Sequence, residues 1–449
     1  MTKTKKTTAP LVMSAILFIA AIMPVSAAET GVPHFVKSVV NMQTPQFPDR
    51  QLSIAKTGAR QHKLSTAAIQ KAIDRLHAKG GGTVIVPPGH WLTGRIELKS
   101  NINLHISEGA TLEFSGNVKD YLPMVKTRSE GADIMSLGAM IYACGQRNIA
   151  VTGKGVMLAP DTLCEIYRKR DHGVTAESEE RMARSRMFDG SDGIVYMPTF
   201  IGPIDCRDIL IEGVTLNRSI FWNIAPVYCT GITIRDVTVN SHGHGRTDGI
   251  DIDSSTDVLI ENTTLDCGDD CFTLKSGRGL EAARLARPTE NVVIRNCHVK
   301  RGSGGVAIGS ETAGMIRNVY VDSITMESPS HAIYIKTRRP RGGGCDSIFI
   351  NNIKVETARS SAIDIGMLGS RKWVGELADR LPPRQVNELT PRFSNIFING
   401  LTVGSCKSLL SVCGLPESPV ENLVIRNVKS DNKNMKMHDV GKFEISFTK

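Results

Sequence analysis

The chain of 449 residues is 41% hydrophobic and 22% charged, a balance that supports a large buried core. These values exclude disordered, collagen-like and small disulfide-scaffold proteins. The 41 glycines and only 5% aromatic residues indicate many tight turns and repetitive packing. Without three early lysines the chain keeps 51 basic and 45 acidic residues, a net charge of +6, which suits an acidic ligand and does not require nucleic acid.

The amino terminus has the order of a cleavable secretory signal. Three lysines precede an apolar run over 11–23, and small residues follow it. We expect residues 1–27 to be removed and residues 28–449 to be exported, either to a periplasm or to the medium. No later stretch holds 18 uninterrupted apolar residues, so we expect no membrane association after cleavage. We also expect a monomer.

Ten cysteines, spread from Cys144 to Cys413, lack paired metal-ligand spacing. Export permits disulfides, so we predict small buried packing residues with one or two bridges. Cys267 and Cys271 flank an acidic turn, but one pair four residues apart is weak support for zinc. We expect no metal and no cofactor.

A repeated phrase of alternating apolar positions and a polar Asn, Asp or Gly corner sets the fold class. It starts at residues 209, 232, 258, 292, 319, 348, 396 and 423. Such a unit cannot bury its apolar face alone, whereas stacked units share one continuous core. The pattern predicts an all-β chain, folded as a single parallel β-helix.

Each unit carries a second short strand whose first and third residues are apolar. These strands are 250–253, 272–275, 306–309, 333–336 and 363–366. Alternation places the other residues outward, so we expect solvent-facing columns across neighbouring coils. One such column holds Asp253, Lys275, Gly309, Lys336 and Gly366.

A helix is predicted from Ser65 to His77, within an amino-terminal cap over about 50–85. Ser65 or Thr66 is the predicted N-cap, and the glycines at 80–82 end the helix. The helix would cover the open end of the solenoid and protect its edge.

Three carboxylates gather just before two of the second strands. Asp248 and Asp270 each lie two residues before an inward apolar residue, so strand spacing brings their backbones to about 5 Å. Asp269 lies one position earlier. Crowded carboxylates raise the pKa of at least one, which suits glycosidic hydrolysis by an acid and a carboxylate. Asp and Gly are also ordinary turn residues, but alignment on adjacent coils favours the catalytic interpretation.

Cations lie close to this acidic cluster. Lys275 and Lys336 share the outward column, and three arginines follow at 338, 339 and 341. They would hold the carboxylates of a uronic-acid polymer. A solvated basic loop is the alternative, and it applies more to Arg339 and Arg341 than to the strand lysines.

Several phrases together resemble the polygalacturonase family of glycoside hydrolases, family 28. They are Phe221-Trp222-Asn223-Ile224-Ala225-Pro226, Thr247-Asp248-Gly249-Ile250-Asp251, Gly268-Asp269-Asp270-Cys271, Ile308-Gly309-Ser310-Glu311 and Ile335-Lys336. The resemblance implies a right-handed parallel β-helix that hydrolyses galacturonosyl bonds in pectin with inversion. It also implies that Asp269 is the general acid, that Asp248 and Asp270 position and activate water, and that Lys336 binds a substrate carboxylate.

Two departures from the family pattern concern substrate choice. Ser303 stands where the family usually has a histidine, and Tyr334 stands where it usually has an arginine. Both changes resemble the rhamnogalacturonan hydrolase branch, although that branch commonly has Asp-Glu in place of Asp269-Asp270. The sequence therefore leans to rhamnogalacturonan-type or decorated pectin, with a homogalacturonan polygalacturonase, endo or exo, as the alternative. Lys275, Lys336, Ser303 and Tyr334 are the candidate substrate-binding residues.

The imidazole that is absent at Ser303 is not supplied by His331. His331 falls two coils beyond Asp270, about 10 Å by strand spacing, which is too far for a direct replacement.

The sequence also allows two other functions. A pectate lyase would use the same fold but would need calcium and a basic residue. A β-helical adhesin or binding module would keep a cationic groove, yet adhesion gives no reason for aligned carboxylates.

Overall fold

A computed structural model describes residues 31–173 and 175–448 of the chain. Residues 34–449 form one compact unit, and the predicted signal peptide lies outside the described residues. Within the described ranges, no helix combines the length and apolarity of a bilayer span.

The chain folds into a right-handed parallel β-helix, as predicted. Repeat positions stack in register, so that Ile209 pairs with Ile232, which pairs with Val258. Val292 continues the same inward column. These side chains are buried and belong to one core that runs the length of the stack, because each coil covers the apolar face of the next.

The coils have three faces. On the first face, the strands of successive coils are Gln51–Ser53, Gly82–Val86, Ile102–Ile106, Arg147–Gly153, Arg207–Glu212, Thr230–Arg235 and Thr256–Glu261. The second face begins with Gly89–Thr93, Ala110–Phe114, Val156–Leu158, Thr215–Asn217, Thr238–Ser241 and Thr264–Cys267. The third face begins with Ile96–Glu97, Ala139–Cys144, Thr199–Ile204, Ile250–Asp253 and Phe272–Lys275.

Four long strands then turn through all three faces. They are Thr289–Ile308, Ile316–Lys336, Gly344–Gly366 and Arg392–Cys413. The stack ends with Glu421–Lys429, Met435–His438 and Phe443–Phe447. An antiparallel hairpin, Val125–Ser129 with Ala132–Ser136, leaves the stack. The α-helices are His34–Val40, Thr66–His77, Glu165–Arg168, Ala176–Arg184, Gly279–Leu285 and Arg371–Val374, and the 3-10 helices are Ile54–Thr57, Val118–Tyr121 and Gly375–Ala378.

Polar corner residues turn the chain between faces. Asp257, Asn291 and Asn318 all have φ between 54° and 57°, a conformation that Asn and Asp tolerate better than most residues. The amide of Asn291 donates to Asp257 at 3.0 Å, and that of Asn318 donates to Asn291 at 3.2 Å. These three residues come directly before the apolar phrases, so they form a ladder at a corner that the sequence pattern did not single out. The predicted corners after the apolar residues, such as Asn262 and Asn296, also have positive φ, 53° in both cases.

The predicted helix is present at Thr66–His77, with its apolar residues packed on the first coils. Ser65 occupies the N-cap position, but its hydroxyl makes no cap hydrogen bond. Instead the Ser65 hydroxyl lies 2.9 Å from the Lys63 carbonyl and donates to it. Ser65 thus stabilises the preceding turn and not the first helical turn.

The outward columns do not face solvent as expected. Asp253 and Lys275 are only 0% and 5% exposed. Arg128, from the hairpin strand Val125–Ser129, reaches Asp253 at 3.0 Å, so a segment outside the stack covers this part of the third face. The register itself is confirmed, because Asp253 pairs with Lys275 and Lys336 pairs with Gly366.

The predicted disulfides are absent, since all ten cysteines are free thiols and six of them are buried. Cys206 and Cys229 fill core positions on adjacent coils, and each thiol donates to a backbone carbonyl two residues earlier at 3.2 Å. These thiols therefore satisfy their weak donors within the strand, without a bridge.

Thiol titration of the purified, denatured protein should find ten reactive thiols without prior reduction, because all ten are free. The thermal unfolding midpoint should also be the same with and without reductant. A lower thiol count, or a midpoint that falls on reduction, would mean that a bridge forms.

Candidate active site

The stacking of two short strands brings the predicted carboxylates together. Ile250 pairs with Phe272, and the amide N–H of Gly249 donates to the Asp270 carbonyl at 2.9 Å. Asp248 and Asp270 therefore occupy equivalent positions on adjacent coils, as the spacing predicted. The side-chain amide of Asn223 donates to the Asp248 carbonyl at 2.8 Å and fixes this turn from the preceding coil.

Burial and crowding make two of these carboxyls unusually weak acids. Burial raises the pKa of Asp248, and the nearby Asp251 and Asp269 raise it further. Burial also raises the pKa of Asp269, and Asp270 adds to that shift. The backbone N–H of Arg246 donates to Asp269 at 3.1 Å. Asp269 thus lies where a carboxyl can keep its proton at moderately acidic pH.

Asp270 has different partners. The Lys336 ammonium lies 2.6 Å from one oxygen of Asp270, and the N–H of Gly304 donates to the other at 2.9 Å. Both contacts stabilise the charged carboxylate. A neutral acid beside a stabilised carboxylate is the combination that glycosidic hydrolysis requires.

Lys336 is held by the protein itself. Burial lowers the pKa of Lys336, but Asp270, Tyr334 and Asp269 together outweigh burial and raise that pKa above its ordinary range. The ammonium also lies 4.2 Å from the centre of the Tyr334 ring. Lys336 is therefore oriented before any substrate arrives, although 24% of its side chain is exposed.

Lys275 lies beneath the acidic cluster. Its ammonium is 3.4 Å from Glu311, 3.5 Å from Asp251 and 3.8 Å from Asp248. Burial lowers the pKa of Lys275, but Glu311 and the two aspartates outweigh it and raise the pKa well above normal. This geometry makes Lys275 an internal counter-ion, which differs from the free substrate-binding cation expected from sequence.

Ser303 lies next to Asp269 on the following coil, since its N–H donates to the Asp269 carbonyl at 2.8 Å. Gly304 follows Asp270 in the same column, and His331 pairs with Gly304 one coil further on. The two-coil separation of His331 from Asp270 is therefore confirmed. Tyr334 packs between His331 and Lys336.

A cavity of about 360 Å³ is bordered by the three aspartates together with Lys275 and Lys336, whereas Ser303 and Tyr334 do not line it. Sequence reasoning missed several of its lining residues, which are Glu130, His172, Trp222, Arg246, Lys372 and Trp373. Arg246 could have been found from the sequence, because it lies only two residues before Asp248. Trp373 and Glu130 come from segments outside the stack, and no strand periodicity marks them.

The cationic lining is unevenly paired. Arg246 lies 2.8 Å from Glu130, and Arg341 lies 3.6 Å from Glu311. Arg339 is outside the cavity lining and forms a buried pair with Glu417 at 2.7 Å. Arg338 lines the cavity, and over residues 31–173 and 175–448 no carboxylate lies within 4.0 Å of its guanidinium. Arg338 is therefore the lining arginine best placed to accept an external anion.

Comparison with known proteins agrees with this geometry. The family described as glycosyl hydrolases family 28 matches residues 190–368. A solved exopolygalacturonase from Thermotoga maritima is 30% identical with a TM-score of 0.79, over 88% of this chain and 90% of that one. A probable polygalacturonase from Vitis vinifera is 27% identical over 81% of this chain and 70% of its own length. An exo-poly-alpha-D-galacturonosidase from Dickeya chrysanthemi is 24% identical over 67% of this chain and 54% of its own length. The chain therefore belongs to glycosyl hydrolases family 28 and is a glycoside hydrolase, because it has this fold and this carboxylate cluster and is similar to the Thermotoga maritima enzyme over nearly the whole length of that enzyme.

Proposed function

We propose that this enzyme hydrolyses galacturonosyl linkages of pectic polysaccharide and acts from the chain end. The observation that carries the proposal is the cluster of Asp248, Asp269 and Asp270 at a cavity that Arg338 also lines. Among the described residues, Arg338 has no carboxylate within 4.0 Å. The carboxylates supply the acid and the base of glycosidic hydrolysis. Arg338 supplies a planar donor for the carboxylate of a uronic acid.

In this proposal Asp269 protonates the glycosidic oxygen, because its raised pKa keeps a proton available. Asp270, which contacts the Lys336 ammonium at 2.6 Å, removes a proton from the attacking water. Asp248 shares the positioning of that water. The mechanism inverts the anomeric configuration, since water attacks directly and no enzyme nucleophile intervenes.

Chain-end action is supported by the segments that line the cavity. Glu130 belongs to the hairpin, His172 to the segment before helix Ala176–Arg184, and Trp373 to helix Arg371–Val374. These segments border the carboxylates and reduce the room for an internal stretch of polymer. Two of the similar proteins are also exo-acting by name.

A second candidate substrate is rhamnogalacturonan-type or decorated pectin. Ser303 beside Asp269 and Tyr334 beside Lys336 are smaller or uncharged where a family member usually has histidine and arginine. Such a site has more room for a neutral sugar next to the scissile galacturonate. Ser303→His should then favour homogalacturonan over rhamnogalacturonan.

The activity test is product analysis on defined oligomers of both polymers. We expect monomeric galacturonate from the first time point on oligogalacturonides, with a slow fall in polymer viscosity. Proton NMR of the fresh product should show the inverted anomer. A rapid viscosity fall with mixed oligomers would contradict chain-end action, and unsaturated products would contradict hydrolysis.

We also infer that the enzyme is exported after removal of residues 1–27 and works as a monomer. Amino-terminal sequencing of protein secreted by an expressing host should begin at residue 28. Recovery only in the cytoplasm with an intact amino terminus would contradict export, and a dimer mass in solution would contradict the monomer.

A further inference from the structure

Three side chains of the strand Ile316–Lys336 stack along the strand and end at the acidic cluster. The rings of His331 and Tyr334 are 4.5 Å apart and inclined by 24°. The Lys336 ammonium lies 4.2 Å from the centre of the Tyr334 ring and 2.6 Å from Asp270. The four groups therefore form a continuous series of contacts from an imidazole to a carboxylate.

The imidazole end of this series is fixed by the next coil. His331 Nδ1 lies 3.0 Å from the Ser361 carbonyl, and a carbonyl only accepts, so Nδ1 carries a proton and donates it. Burial lowers the pKa of His331, although Asp364 opposes that shift, so the ring is neutral at neutral pH. A neutral ring with a fixed tautomer is a rigid support for the Tyr334 ring.

Gly304 leaves the space that this arrangement needs. A Cβ atom at Gly304 would lie 3.0 Å from both Asp270 Oδ1 and Tyr334 Cβ. Any side chain there would press between the Asp270 carboxylate and the first side-chain carbon of Tyr334. The absence of one lets Tyr334 stand directly beside the pair formed by Lys336 and Asp270.

We propose that Tyr334 is a positioning residue whose ring, supported by His331, holds the Lys336 ammonium on Asp270. An aromatic face attracts an ammonium through its quadrupole and adds no charge of its own. The ring thereby orients the cation without competing for the carboxylate, as a second cation at this position would. This inference rests on the proposed role of Asp270 as the base that activates water.

The role belongs to the ring and not to the hydroxyl. Tyr334→Phe should therefore keep kcat within about twofold, since the ring face remains. Tyr334→Leu should lower kcat by about 10–100-fold with a smaller change in KM, because the base loses its oriented partner after substrate is bound. The acidic limb of the pH profile should move to higher pH, because a carboxylate that loses its cation accepts a proton more readily.

The pH readout depends on all the groups around Asp270. Those groups are Asp248, Asp251, Asp269, Lys275, Lys336, His331 and Tyr334. Tyr334→Leu replaces none of the other side chains, but it uncovers the ring of His331, whose pKa is lowered by burial. A shift of the acidic limb in Tyr334→Leu but not in Tyr334→Phe therefore shows that the ring face and not the hydroxyl sets the pH profile, and the contact between Lys336 and Asp270 itself is tested by structure determination.

A matched control lies on the same strand. Tyr320 is half-buried on the first face, where it packs near helix His34–Val40. Tyr320→Leu removes the same atoms and should leave kcat and the pH profile unchanged. Equal effects of Tyr320→Leu and Tyr334→Leu would overturn the proposal in favour of a general loss of packing.

Crystal structures of the parent and of Tyr334→Leu test the same proposal without any assay. We expect the Lys336 ammonium to leave Asp270 in the leucine variant and to stay in the phenylalanine variant. An unchanged contact in both variants would overturn the positioning role even if galacturonan is cleaved. A lost contact in an enzyme that cleaves no galacturonan would support the positioning role and reject the proposed substrate.

Discussion

Replacing Asp269 with asparagine should lower kcat on polymeric substrate by about 10²–10⁴-fold or more while the fold stays intact. The amide keeps the shape of the carboxyl and can still accept the 3.1 Å hydrogen bond from the Arg246 N–H. It cannot deliver a proton to the leaving oxygen. Burial and the neighbouring Asp270 raise the pKa of Asp269, so the parent carboxyl keeps a proton that it can donate. The asparagine amide has no such proton.

The measurement is release of reducing ends, combined with circular dichroism and the unfolding midpoint. A galacturonide with an acidic leaving group, such as a nitrophenol, needs little protonation, so its hydrolysis should fall much less than that of the polymer. Asp161→Asn is a matched control at an exposed turn, where the side chain accepts from the Leu163 N–H at 2.8 Å. Near-parent turnover of the polymer by folded Asp269→Asn would remove Asp269 from the acid role.

Lys275→Met should destabilise the protein by about 3–5 kcal/mol near neutral pH, because it leaves buried carboxylates without their cation. The ammonium lies within 3.8 Å of Asp248, Asp251 and Glu311, and the side chain is 6% exposed. Methionine has nearly the same length, so loss of charge and not loss of volume dominates. Activity should fall as well, because Asp248 belongs to the acidic cluster.

The loss of stability in Lys275→Met should depend on pH in a defined direction. Burial raises the pKa of Glu311, but Lys275 and Arg341 outweigh burial and hold that pKa well below normal. The stability from Glu311 is therefore present above its unfolded pKa of about 4.3 and is lost as pH falls below that. The pKa of Lys275 is raised, so its contribution is present below about pH 10.4 and is lost at higher pH. The difference between parent and variant should be largest between these limits.

Urea unfolding of both proteins at neutral and acidic pH measures this difference. Lys354→Met, at an exposed strand position, is the control and should change the free energy of unfolding by less than about 0.5 kcal/mol. Parent-like stability of Lys275→Met at neutral pH would show that the buried carboxyls are already neutral without the lysine.

Regular stacking explains why the fold and the centre of the site were predictable. The register of Asp248 with Asp270 follows from period-two strands in parallel coils, where equivalent positions meet. The surroundings of Lys275 were not predictable in the same way. Glu311 follows a strand of the next coil, and Arg128 comes from a hairpin more than a hundred residues earlier in the chain. No period in the sequence indicates that such segments fold back over the third face.

The cysteines show a second limit of pattern reasoning. Export permitted one or two bridges among cysteines predicted to be mostly small buried packing residues. Cys206 and Cys229 are such packing residues on adjacent coils, but no bridge forms. Repetition in a solenoid places like residues on adjacent coils for packing alone. Trp373 illustrates the opposite case, because it borders the cavity from a short helix that carries no repeat signal.

The polar corner ladder has a consequence for how this enzyme can change. Corners and strands fix the spacing of the coils, so Asp270 and Gly304 are neighbours although 34 residues separate them in sequence. The chain between two corners can lengthen or shorten without moving the carboxylates. The segment of residues 371–378 is therefore an exchangeable part, whereas the hairpin of residues 125–136 is tied to the stack by the buried pair of Arg128 with Asp253. Grafting the counterpart of residues 371–378 from a related enzyme offers a way to open or close the cleft while the carboxylates stay in place.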